Sequence, residues 1–200
     1  MSLDRFYLIV DDVRWLERLL PHGVRFAQLR VKDRPEPELR AQIRQARDLC
    51  ASAGATLVVN DHWRLAIEEG CDFVHLGQGD LDDADLAVIR GAGLRLGVST
   101  HDHAELERAL ATEPDYVALG PIWPTLLKQM PWAPQGLERV AEWKRRIGGI
   151  PLVAIGGLTP DRAREALAAG ADSAAVVTDV LRHPDPEART REWRAAVDRP

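Results

Sequence analysis

The stretch TLVVNDHWRLAIEEGCDFVHLG, residues 56–77, decides the fold. Its ends, TLVVN (56–60) and FVHLG (73–77), are short, nearly continuous apolar runs. Runs of that length read as strands buried on both faces, the habit of parallel sheets. The intervening HWRLAIEEG reads as a helix. Strand, helix and strand together make one parallel crossover unit. The same beat recurs at FYLIV (6–10), FAQLR (26–30), RLGVST (95–100), YVALGP (116–121), LVAIGG (152–157) and SAAVVT (173–178). Amphipathic stretches such as PELRAQIRQARDLCASAG and TPDRAREALAAGA lie between them. The second of these has Pro160 near its start and Gly170 at its end, the usual start and stop signals of a helix. Eight strand–helix units in 200 residues predict an α/β fold, a (β/α)8 TIM barrel forming a single domain over residues 1–200. The competing architecture is an open doubly wound sheet. That fold would carry a glycine-rich loop after its first strand, and YLIVDDVRWL has no glycine.

Composition bounds the function. Hydrophobic residues make up 46% and charged residues 28%, a globular balance with room for a full core. The net charge of −5 argues against a sequence-independent grip on nucleic acid, which needs clustered basic charge. Cys50 and Cys71 belong to no CxxC or Cys/His cluster and are read as reduced, packed thiols. The N-terminus has too short an apolar run for a secretory signal, and no segment reaches transmembrane length. A soluble cytoplasmic protein is expected.

A barrel of this kind works at the C-terminal ends of its strands. Those ends carry Gln28, Arg30 and Lys32; Asn60 and Asp61; Gln78 and Asp80; Ser99 and His101; Thr125 and Lys128; Gly156 and Gly157; and Val177 and Thr178. In QLRVK, Arg30 and Lys32 share a strand face and suit a diphosphate, arginine as a fork and lysine as a point charge. A solvated basic edge is the structural alternative. Asp61 and Asp80 end neighbouring strands, which lie roughly 4.8 Å apart, so the two carboxylates can meet over one cation. Hard oxygen ligands of this type suit Mg2+. The alternatives are an N-cap for Asp61 and a turn residue for Asp80. Gly156-Gly157 and Val177-Thr178 follow strands seven and eight, where barrels commonly bind phosphate; a tight turn would also use the glycines. His75 reads as a satisfied interior residue, His101 as a mouth residue, and His62 and His103 as helix-start residues. No zinc pattern and no hydrolase triad is present.

One connection is unusually long. GPIWPTLLKQMPWAPQGL, residues 120–137, separates a strand from a helix and holds Lys128 at its middle. Structureless connections beyond roughly 12–15 residues tend to be lids or binding loops, or else disordered. Trp123 and Trp132 argue against disorder.

Taken together, QLRVK, VVND, CDFVHLGQGDL, LGVSTH, DYVALGPIWPT followed by Lys128, IPLVAIGGL and GADSAAVV resemble the thiamine-phosphate synthase family over residues 26 to 178. The resemblance implies a barrel enzyme, a transferase of thiamine biosynthesis. Such an enzyme joins hydroxymethylpyrimidine diphosphate to thiazole phosphate with Mg2+ and releases diphosphate. It implies that Gln28, Leu29, Arg30, Val31, Lys32, Asn60, Ser99 and Lys128 hold the pyrimidine diphosphate. Among these, Arg30, Lys32, Ser99 and Lys128 would act in catalysis. Asp61 and Asp80 would hold the metal. Thr125, Leu126, Leu127, Gly157, Val177 and Thr178 would hold the thiazole phosphate. The partners implied are small molecules, with no nucleic acid and no membrane; Trp193, read as exposed, would serve any homo-oligomer contact.

Three positions depart from the family pattern. Leu127 stands where a hydroxyl is usual, and leucine donates no hydrogen bond. Thr178 replaces serine and keeps the hydroxyl. Asp179 follows where a small apolar residue is usual, and is read as capping the last helix rather than facing phosphate. Two other readings stand beside the synthase: a thiazole tautomerase, and a phosphate-binding barrel without catalysis. Relatives of the tautomerase type carry a histidine after the glycine at the end of strand six. Here Pro121 follows Gly120.

Overall fold

The structure, a computed structural model, describes residues 2–125 and 133–198. Eight parallel strands close into a barrel in sequence order, with the first pairing the last. They are β1 (Phe6–Val10), β2 (Phe26–Leu29), β3 (Thr56–Asn60), β4 (Phe73–Leu76), β5 (Arg95–Thr100), β6 (Tyr116–Leu119), β7 (Leu152–Ile155) and β8 (Ser173–Val176). Around them run α1 (Arg14–Leu19), α2 (Glu36–Ser52), α3 (Trp63–Glu68), α4 (Leu86–Gly91), α5 (His103–Ala111), α6 (Gly136–Ile147), α7 (Pro160–Ala168), α8 (Thr178–Leu181) and α9 (Pro186–Asp198). The eight-unit barrel expectation holds, and the open sheet is excluded by the β1–β8 pairing. No helix among the described residues is long and apolar enough to cross a membrane.

The strands are apolar on both faces because each face meets a different core. Alternate residues such as Leu8, Ala27, Val59, Val74, Val98, Leu119, Ala154 and Val176 turn outward and pack under the helices. The intervening set, including Tyr7, Phe26, Val58, Phe73, Tyr116 and Val153, fills the barrel interior. A period of two on a closed sheet requires this division. The lower interior is aromatic, with the Tyr7 and Phe26 rings stacked at 3.9 Å and Phe73 edge-on to Tyr116 at 5.5 Å. Gly97 on β5 makes space for it: a Cβ there would lie 2.1 Å from Tyr116 Cζ. With the lower barrel largely plugged by rings, most polar side chains on the strands gather at the upper end.

Helix ends follow the sequence signals. Thr159 caps α7, its hydroxyl accepting from the Arg162 amide with Pro160 in the first turn, and Gly170 beyond the helix takes φ +113°. Asp85 and Asp102 cap α4 and α5 in the same way.

At the C-terminal end two expectations are corrected. Trp193 is fully buried, stacked on Phe6 at 5.6 Å, so it offers no surface to a partner. Asp179 does not cap the last helix. It lies in the first turn of α8, and α9 is capped instead by Asp185, whose carboxylate accepts from the Ala188 amide at 2.9 Å. The Asp179 carboxylate takes two bonds from Arg189, at 2.8 and 2.9 Å, and one from Trp193 Nε1 at 2.6 Å. Two strong donors on α9 draw the charge outward, which is the physical reason it can follow Thr178 without facing a phosphate.

Candidate active site

Polar side chains gather at the C-terminal ends of the strands. Gln28, near the end of β2, is buried at 2% exposure, and Asn60, the last residue of β3, at 5%. Next along the chain from β2, Arg30 is exposed, and no hydrogen bond or ion pair among the described residues engages its guanidinium. Lys32 reaches across to β3 and pairs with Asp61, Nζ to Oδ2 at 3.2 Å. Leu29 and Val31 point the other way, into the outer core, so only their backbone is available to a ligand.

Asp61 adopts φ +62°, a left-handed conformation that aspartate tolerates better than most residues. Its amide still continues the sheet, donating to the His75 carbonyl at 2.9 Å. The N-cap of α3 is His62, without a side-chain bond, so the Asp61 carboxylate is not spent on capping. Asp80 belongs to the 3-10 turn Asp80–Asp82 after β4, and its Oδ2 accepts from the Gly77 amide at 3.0 Å. A Cβ at Gly77 would sit 2.9 Å from that oxygen, so glycine is what lets the carboxylate fold back over the strand end. Asp61 and Asp80 come within hydrogen-bonding reach of each other. Burial first, and the Asp61 charge second, push the Asp80 carboxyl above its ordinary range. Two carboxylates from neighbouring strands therefore share one small space, with the Lys32 ammonium beside them. No third His, Cys, Asp or Glu joins them among the described residues.

Below the mouth lies a chain of hydrogen bonds. Gln28 Nε2 donates to Tyr7 Oη at 2.8 Å, Tyr7 meets Tyr116 Oη at 3.0 Å, and Tyr116 meets His75 Nδ1 at 2.7 Å. His75 Nε2 meets Ser99 Oγ at 2.7 Å. Burial pushes the His75 imidazole down to about 4, so the ring is neutral, and burial raises both phenols. His75 is thus the satisfied interior residue expected. Tyr7 and Tyr116 were not singled out from sequence; the available signal was their inward parity on β1 and β6, with a glycine on the strand beside Tyr116. Gln78, in the loop after β4, donates to the Ser99 carbonyl at 2.7 Å and holds the end of β5.

The other side of the mouth is built from β6, β7 and β8. The chain leaving β6 runs beside the end of β7: the Ile122 and Trp123 amides donate to the Ile155 and Gly156 carbonyls at 2.9 and 3.0 Å. The returning chain is pinned to the same place, with Gln135 and Gly136 donating to the Pro121 and Ile122 carbonyls. This explains Gly156 and Gly157 more sharply than a turn does. A Cβ at Gly156 would lie 2.7 Å from Pro121, and one at Gly157 2.5 Å from the Pro124 carbonyl. Thr125, Gly157, Val177 and Thr178 are all half-buried around this rim. Arg162 lies over the Trp123 ring and donates to the Gly157 carbonyl at 2.7 Å. Leu126, Leu127 and Lys128 lie outside the described residues.

His101 and His103 have local roles. His101 bonds Glu105 through Nδ1 at 2.7 Å, and His103 opens α5 and pairs with Glu142. Cys50 and Cys71 are free thiols, pushed up to about 12 and about 11 by burial, which leaves them poor nucleophiles.

Known proteins share both the sequence and the fold. A thiamine-phosphate synthase of Rhizobium etli is 67% identical over 197 residues, covering 98% of this chain and 97% of that relative. One from Neisseria meningitidis is 47% identical, covering 97% and 95%. The solved thiamine phosphate pyrophosphorylase of Pyrococcus furiosus superposes with a TM-score of 0.86 at 29% identity, covering 97% of this chain and 95% of that one. The family model described as thiamine monophosphate synthase matches residues 6–180, from the first residue of β1 into α8, and the chain therefore belongs to that family, a transferase of thiamine biosynthesis.

Proposed function

We propose that the two sides of the mouth divide the synthase reaction between them. The pyrimidine diphosphate lies on the β2–β5 side, and the thiazole phosphate on the β6–β8 side. The observation that carries this reading is the corner where Asp61, Asp80 and Lys32 converge beside the uncommitted Arg30. Two hard carboxylates with no third His, Cys, Asp or Glu beside them among the described residues suit an ion that keeps waters and takes phosphate oxygens, which favours Mg2+. Bound there, Mg2+ would offset the negative charge of the departing diphosphate.

The chain's own residues do the rest. Arg30 offers a fork and Lys32 a point charge to the same diphosphate. Ser99 offers a hydroxyl and Asn60 and Gln28 their amides. Lys128 adds a further positive charge to the diphosphate. Diphosphate leaves a carbon attached to an electron-rich aminopyrimidine, a ring that delocalises positive charge, so neither a nucleophile nor a strong base is required of the protein. Positive charge on the leaving group, alignment of the thiazole nitrogen and exclusion of water suffice. Thr125, Gly157 and Thr178, with Val177, Leu126 and Leu127, hold the thiazole phosphate. The substrates are small molecules, and a cytoplasmic setting fits the two free thiols.

The test is diphosphate release by the purified protein. Release should need both substrates and Mg2+ together, and Lys128→Ala should lower kcat by about 100-fold. Release without metal, or an unimpaired Lys128→Ala enzyme, would overturn these assignments.

A further inference from the structure

Hydrogens in the buried chain beneath the mouth have a direction. The Gln28 amide nitrogen can only donate, and it donates to Tyr7 Oη. The Tyr7 hydrogen is then left for Tyr116 Oη, the other oxygen it meets. Tyr116, having accepted from Tyr7, donates to His75 Nδ1. A neutral imidazole that accepts at Nδ1 carries its hydrogen on Nε2. That hydrogen goes to Ser99 Oγ. Ser99 Oγ has no other hydrogen-bond partner among the described residues, and the side chain is half-exposed at the mouth. Its own hydrogen therefore points to whatever binds there.

The packing supports this arrangement. His75 lies parallel to Tyr116 at 17° with centroids 5.5 Å apart, and Tyr7 meets Tyr116 edge-on at 90°. Gly97 admits the Tyr116 hydroxyl to the barrel axis, since a Cβ there would stand 2.6 Å from that oxygen. Reversing the chain would need the Gln28 amide turned round and the hydrogen on Nδ1. It would also leave a hydroxyl whose lone pairs face the ligand.

We infer that Tyr7, Tyr116 and His75 form a positioning relay that fixes the Ser99 hydroxyl as a hydrogen-bond donor to acceptor atoms of the bound pyrimidine diphosphate, ring nitrogen or phosphate oxygen. The identity of the ligand rests on the synthase reading; the direction of the hydrogens does not. No proton is transferred. The three residues touch no substrate and act through Ser99. A ligand offering only donors at this point would leave the Ser99 hydrogen without a partner and should bind less well.

Nitrogen-15 NMR of the full chain with labelled histidine reads the direction without any substrate. The His75 signal, assigned by its loss in His75→Gln, should show a protonated Nε2 and an unprotonated Nδ1. Hydrogen on Nδ1, or a mixture, overturns the relay. Kinetics then separate positioning from packing. The amide nitrogen of His75→Gln stands where Nε2 stood and keeps a donor for Ser99; His75→Leu does not. For the pyrimidine diphosphate, kcat/KM should fall by about 10-fold or more in His75→Leu and by no more than about 3-fold in His75→Gln, with KM for thiazole phosphate unchanged in both. Equal losses in the two variants, felt on both substrates, would mark a purely structural histidine and overturn the proposal. A wild-type protein that releases no diphosphate would sink the synthase assignments, while the NMR result would still decide the relay.

Discussion

Asp80 shows how a single side chain can be set against the stability of its own fold. Its carboxyl is held above the ordinary range by burial and by Asp61. A group raised on folding contributes its stability at pH values below its unfolded value, and loses it as the pH rises through the folded value. At neutral pH the charged Asp80 therefore works against the metal-free protein. Asn resembles the protonated form and can still accept from the Gly77 amide. Asp80→Asn should abolish Mg2+-dependent turnover yet raise the Tm of the metal-free protein at pH 7 by about 1–3 °C. The gain should shrink as the pH falls through the raised value of Asp80, where the wild-type carboxyl takes up its proton. Calorimetry across that range checks the sign, and a lowered Tm at pH 7 would contradict it. Arg30 and Lys32 show the limit of reading at this scale. They are two residues apart on one strand end, yet one stands free among the described residues and the other is paired with Asp61 across a strand boundary. Spacing alone could not distinguish them.

At the scale of elements, the end of the chain makes the strongest case for context. The short α8 and the long α9 are held together by Asp179, which is bound by Arg189 and Trp193. Both partners are mostly buried, so removing the carboxylate strands the indole N–H and leaves the Arg189 guanidinium with Glu192 alone. Asp179→Ala should cost about 2–4 kcal/mol in urea unfolding. Because the carboxylate is drawn away from the rim, KM for thiazole phosphate should stay within about 2-fold of wild type. A large KM change without loss of stability would return Asp179 to the phosphate site. The pairing of 122–123 with the end of β7 has a similar lesson. GPIWP read as the start of a loop, and part of it extends the barrel wall. The sequence signal for that pairing, two glycines at 156 and 157, was read as a phosphate contact or a turn. What the glycines relieve is contact with Pro121, Trp123 and Pro124, a segment more than thirty residues earlier.

For the whole molecule, the ring closure brings β2, β3 and β4 side by side, so the strand ends that carry Arg30, Lys32, Asp61 and Asp80 are neighbours although up to fifty residues of chain separate them. Mg2+ and inorganic diphosphate should then stabilise the protein jointly. With the Mg2+–diphosphate complex near 100-fold above its dissociation constant, the gain is about 2.7 kcal/mol, or roughly 5–10 °C in Tm. Either alone should do much less, and thermal scans with each, both and neither decide it. Additive effects would place the two ligands in separate sites. The sequence by itself determined the class of fold, because eight buried strands declare themselves by local apolar runs and their helices by local caps. It also determined the set of polar residues at the strand ends, since barrel topology assigns that role to each strand terminus independently. Which of those residues meet, which are spent on one another, and how Tyr7, Tyr116 and His75 connect beneath them were decided only by the tertiary structure. The reason is physical. Strand and helix propensities act between residues a few positions apart, whereas the Asp61–Lys32 pair, the Tyr116–His75 bond and the Asp179 clasp act through space between segments that only barrel closure and helix docking bring within hydrogen-bonding distance.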